Sequence, residues 1–212
     1  MQNMKTGCGA MKNKLFVRML VLCLCLLTSA VFSTAAKGAQ LSGSLIRLHV
    51  VADTGSEEDL RLKNAVRDNI LAEFFSDPME DLQAERDRVA GSLAEIRQLA
   101  EETLQELGAD NGVKVTFGMR YLPEKEYGSF SLPAGRYETL TVTIGRGEGS
   151  NWWCVLYPPL CVVPAAALRE TAEEAGIPQE GYEMMTGDGD EIRFRFKILE
   201  ILTELDGKIF GR

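Results

Sequence analysis

The chain is poorest in histidine: His49 is the only one among 212 residues. A zinc site built on two histidines is therefore excluded, and two cysteines with one histidine lack the usual ligand spacing. No metal or cofactor signature remains. Long apolar runs are equally scarce. The N-terminal one, Met19 to Phe32, has 14 residues, short of the ~20 that a membrane span needs. Basic charge is thin outside the N-terminus. The first 36 residues hold four basic and no acidic residues, so their removal leaves 19 basic against 31 acidic, a net charge of −12. So acidic a body repels polyanions, which argues against nucleic acid as a partner. There is no internal repeat and no low-complexity segment.

What is present begins with a three-part N-terminus. Lys5, Lys12, Lys14 and Arg18 precede the apolar run, and Ser33-Thr34-Ala35-Ala36 follow it. Residues 1–36 therefore read as an export signal, cleaved after Ala35 or Ala36 or kept as an N-terminal anchor. Residues 37–44 read as a linker, 45–205 as a single domain and 206–212 as a C-terminal tail.

Within the body, Leu45 to Val51 alternates as a strand with Ile46, Leu48 and Val50 on one face and Arg47, His49 and Val51 on the other. Ser56 with Asp59 starts a capped helix running to about Phe75, its apolar face made by Leu62, Ala65, Val66, Ile70 and Phe74. A second helical stretch spans 79–107 and stops at Gly108. Val113 to Tyr121 and Tyr137 to Ile144 alternate as half-buried strands, and Trp152 to Tyr157 is a short apolar strand. A short helix is expected over Pro164 to Ala175, and a further strand over Glu191 to Ile201. Four or five strands in a mainly antiparallel sheet, packed with two principal helices, make an α+β domain.

Three features carry potential chemistry. A Cys-His hydrolase would need His49 to meet Cys154 through the tertiary fold. Gly145-Arg146-Gly147-Glu148-Gly149 has the glycines of a phosphate loop, but a strand follows it, no Lys-Ser or Lys-Thr closes it, and Glu148 repels phosphate. A flexible connector is expected there. The stretch Asn151 to Cys161 gathers both tryptophans, Tyr157, Pro158-Pro159 and both cysteines of the body. Trp152 and Trp153 must point to opposite sides of a strand. Either both serve a core, or one joins Tyr157 and Pro158 as an exposed anchor for a partner. Arg47, whose fork of donors suits a carboxylate, and His49 complete the candidate contact residues. Cys154 and Cys161 are either a disulfide, which export permits, or two small packing residues.

Ser44 to Asp53, Ser56 to Asp59, Leu62-Lys63 and Val66-Arg67-Asp68 closely resemble the opening of the stage II sporulation protein R family. Tyr127 to Phe130, Leu132 to Tyr137 and the Asn151 to Cys161 stretch resemble its later signatures, so the likeness runs from about Leu45 to Ile201. Asp53-Thr54-Gly55 departs from the Asn-Ser-Asp-like turn usual there, and Thr186 to Asp190 is peculiar to this chain. The resemblance implies a signalling protein rather than an enzyme, without cofactor. It implies export into the space between forespore and mother-cell membranes, where the partner is a membrane-embedded aspartic protease that cleaves the sigma-E precursor. Membrane contact is then expected only through the N-terminal segment or that partner. A secreted cysteine-dependent envelope hydrolase and a carbohydrate-binding module using Trp152 and Trp153 are the rival readings.

Overall fold

The computed structural model describes residues 6–77, 79–161 and 163–187. The strand expected over Glu191 to Ile201 and the tail 206–212 lie outside them. The chain divides into two units, 1–37 and 38–212. A helix, α1 (Thr6–Gly43), occupies the N-terminal sequence. Among the described residues no helix is long and apolar enough to cross a membrane. Residues 38–43, expected as linker, are the last turns of α1, and Leu41 is fully buried.

The second unit follows as β1 (Ile46–Val51), α2 (Glu57–Phe74), α3 (Leu82–Gly91), α4 (Leu93–Glu106), β2 (Val113–Leu122), β3 (Lys125–Glu126), β4 (Ser131–Leu132), β5 (Gly135–Ile144) and β6 (Asn151–Tyr157). A 3-10 turn (Ala165–Ala167), α5 (Leu168–Glu174) and α6 (Gln179–Thr186) complete it. The class is α+β. The main sheet has the order β2-β5-β1-β6, with β1 and β5 parallel and the other pairs antiparallel. β3 and β4 form a separate two-stranded ribbon that alternation did not foretell.

Local chemistry accounts for the helix ends. Ser56 caps α2, its hydroxyl accepting from Asp59 N at 3.0 Å, and Glu57, Glu58 and Asp59 sit where the helix dipole favours negative charge. The single helix expected over 79–107 is two. Gly91 lowers helical propensity, and Ser92, with φ −97° and ψ 7°, ends α3 by donating its N–H to Arg88 O. Gly108 and Gly176 adopt φ of 80° and 73°, the left-handed conformation that terminates α4 and α5.

The sheet is covered on both sides. One core joins Ile46, Leu48, Val50, Leu140 and Val142 to Leu62, Val66 and Ile70 of α2, Val89 of α3 and Ile96 and Leu104 of α4. A second gathers Leu41, Leu45, Phe130, Leu132, Tyr137 and Val155 with residues of α5 and α6. Strand β5 is therefore not half-buried as expected, since Thr139 and Thr141 on its polar face are also buried.

Candidate functional site

The stretch between Ser150 and Cys161 forms the edge of the sheet. Its first residues are held from two sides. From α2, Lys63 donates to Ser150 Oγ at 2.6 Å, and one turn later the Arg67 guanidinium lies 4.1 Å from the Trp152 ring centre. These two cations sit at i and i+4, which places them on one face of the helix. From β1, His49 Nε2 donates to Asn151 Oδ1 at 2.7 Å, and its ring stacks on Trp153 at 3.7 Å and 9°. Leu62-Lys63 and Val66-Arg67 carried the spacing that could have flagged the two α2 cations.

The register assigns the faces. Trp152 pairs with Val50 and Cys154 with Leu48 on the α2 side, whereas Trp153 pairs with His49 on the other. His49 and Cys154 therefore lie on opposite faces, which separates the two groups that a Cys-His hydrolase would need together. Trp152 is the exposed tryptophan, with 38% of its surface accessible, while Trp153 is half-buried against the second core. The remaining expected anchor residues are not presented to solvent. Tyr157 and Pro158 are buried, Tyr157 within the first core.

Arg47 differs most from its expectation as an exposed fork for a partner's carboxylate. It is fully buried. Its Nη2 donates to Tyr127 Oη at 2.6 Å, its guanidinium carbon lies 4.8 Å from the Tyr137 ring centre and 5.9 Å from those of Tyr127 and Trp153, and Nε and Nη1 have no partner. The reason is tertiary. The Tyr127 to Phe130 turn and the second core close over what strand alternation marks as the polar face. Burial pushes the Tyr127 hydroxyl up to about 12. Burial chiefly, with repulsion from Arg120 and Arg47, lowers His49 against the raising effect of its Asn151 bond.

The glycine loop is pinned rather than flexible. Asp53 accepts Arg146 N–H at 3.0 Å, Arg146 Nε at 3.2 Å and Asn111 Nδ2 at 2.8 Å, while Glu148 N and Gly149 N donate to Asp53 O and Ala52 O. Those amides are spent inside the fold and do not form a phosphate cradle. The Arg146 backbone bond, above the other contacts, holds the Asp53 carboxyl below its ordinary value.

Cys154 and Cys161 are both free thiols, the first buried and the second exposed. Cys161 Sγ accepts the Val155 N–H at 3.1 Å. The bond with Cys154, then the Val155 amide and the Arg47 charge, lower the Cys161 thiol, while the same bond and burial push Cys154 up. Among the described residues no cluster of His, Cys, Asp or Glu is arranged to hold a metal ion.

Comparison with known proteins matches this framework. The chain is 38% identical over 118 residues to stage II sporulation protein R of Bacillus subtilis (strain 168), covering 55% of this chain and 53% of that protein. It thus spans about half the length of the curated relative. No solved structure matches. The family profile described as stage II sporulation protein R matches residues 42–167, from the end of α1 through the Trp-Cys edge, and the chain belongs to that family.

Proposed function

We propose that the protein is an exported sporulation signal that switches on a membrane-embedded aspartic protease, leading to processing of the sigma-E precursor in the mother cell. In this reading it is a ligand and not itself an enzyme, it acts in the space between forespore and mother-cell membranes, and residues 1–36 take it there. The observation that carries the proposal is the presentation of Trp152. A large aromatic stands exposed on an edge strand, oriented by Arg67 and flanked by the Lys63–Ser150 bond, within the residues 42–167 that match the family. A pre-ordered aromatic of this kind anchors a protein partner with little loss of freedom on binding.

The cysteine hydrolase reading is disfavoured by the opposite facing of His49 and Cys154. The carbohydrate reading is weakened because His49 already covers one face of Trp153 and Arg67 one face of Trp152. Co-expression of the exported form with the candidate protease and a tagged sigma-E precursor tests the proposal. Processing should require this chain. Processing without it, or none with all three present and folded, refutes it.

A further inference from the structure

The two cysteines of the body are placed for chemistry that neither packing nor partner binding uses. A cysteine that serves as a small hydrophobe is normally buried, yet Cys161 is exposed while Cys154 is not. After β6 the chain runs through Pro158-Pro159-Leu160, closed by Leu160 N donating to Pro158 O at 2.7 Å, and returns Cys161 to the strand it has just left. There its sulfur accepts the Val155 amide at 3.1 Å, while the Cys154 thiol donates to the carbonyl of the same residue at 3.7 Å, so both sulfurs are held on Val155. Arg47 pairs in register with Val155 across β1 and β6 and has no carboxylate partner in the described fold, so its charge is available to a sulfur anion.

We propose that Cys154 and Cys161 are a thiol–disulfide exchange site, with Cys161 the entering thiolate and a small-molecule or protein disulfide the co-reactant. The Cys161 thiolate attacks one sulfur of the donor RS–SR, giving a Cys161–S–S–R mixed disulfide and one RS⁻, which takes up the proton Cys161 has lost. Cys154 then attacks the Cys161 sulfur and expels the second RS⁻, which takes the Cys154 proton. The two protein thiols are oxidised to one disulfide, and the donor is reduced to two RSH. The order follows from the site. Cys161 is exposed and its sulfur accepts the Val155 amide, with the Arg47 charge also favouring the anion, whereas Cys154 is buried and stays protonated until a mixed disulfide lies next to it. Closure fastens the Pro158 to Cys161 corner to β6, the strand that presents Trp152. The proposal does not rest on the protease reading and can fail or stand without it.

The test uses the full chain, reduced and then exposed to oxidised glutathione, quenched with iodoacetamide and cut with trypsin. Both cysteines fall in the one peptide Gly147 to Arg169, which has no internal Lys or Arg. The expected product is that peptide unalkylated and lighter by two hydrogens, with a thermal midpoint about 5 °C above the reduced protein. Cys154→Ser should instead hold one glutathione on Cys161, and Cys161→Ser should leave Cys154 at least tenfold slower to react. A wild-type peptide alkylated at both positions after oxidation overturns the proposal, and that measurement needs no variant to fold. Folded single variants that react at equal rates overturn the assignment of Cys161 as the entering thiolate.

Discussion

Trp152 and Trp153 are adjacent, chemically identical and differently used, so truncating each to alanine separates packing from contact. Trp153 sits against the second core with one face on His49. Deleting a fully enclosed aromatic costs about 3–5 kcal/mol. Trp153 is only half-buried, which brings its burial share to roughly 2 kcal/mol, and the lost His49 stack adds about 1. In a unit of this size ~3 kcal/mol lowers the thermal midpoint by about 6–12 °C. Trp152 keeps 38% of its surface accessible and its main neighbour is the Arg67 guanidinium. Losing that contact costs about 0.5–1 kcal/mol, a shift of only ~1–4 °C. Melts followed by circular dichroism should rank wild type, Trp152→Ala and Trp153→Ala in that order. In the co-expression assay Trp152→Ala should abolish precursor processing while staying folded. If Trp152→Ala melts as low as Trp153→Ala, or folds and still triggers processing at the wild-type level, the aromatic is packing and the contact surface lies elsewhere.

The buried charges and the pinned loop give further expectations. Arg47→Lys should destabilise more than it impairs signalling, because the Tyr127 bond and the stacking on Tyr137 are internal and a compact ammonium reproduces neither; a fully stable variant that fails to signal would return Arg47 to the contact surface. Arg88→Ala should cost roughly 3 kcal/mol in denaturant melts, since it leaves the fully buried Glu85 without the guanidinium that binds both its oxygens at 2.6 and 2.7 Å. Gly149→Ala should cost about 2–4 kcal/mol, as a methyl there meets Thr54 O at 2.0 Å, whereas Gly55→Ala meets nothing within 4 Å and should be close to neutral. His49 is held below its unfolded value of 6.5, so its contribution is whole above that pH and is lost as pH falls through the lowered folded value. The thermal midpoint should therefore drop as the pH falls below 6.5, and His49→Gln should flatten that slope; equal slopes would show that His49 is not the group responsible.

Much of the framework was legible in the residues themselves. The Ser56 cap, the α2 apolar face, the alternation of β1, β2 and β5 and the stop at Gly108 are local properties, decided by backbone preference and a side chain's period within a few residues. The α+β class and the opposite facing of the two tryptophans follow from the same periodicities. Tertiary packing decided everything that depended on what lies across the sheet. Alternation places Arg47 and Thr139 on a polar face but is silent on whether distant segments cover it, and the Tyr127 to Phe130 turn and the second core do. The Gly145 to Gly149 loop reads as flexible by composition and is rigid because Asp53, some 90 residues earlier, accepts its amides. Cys154 and Cys161 are neighbours because a short proline corner doubles back on β6. Sequence spacing bounds how far such a chain can reach, while the direction it takes is set by the surfaces it packs against.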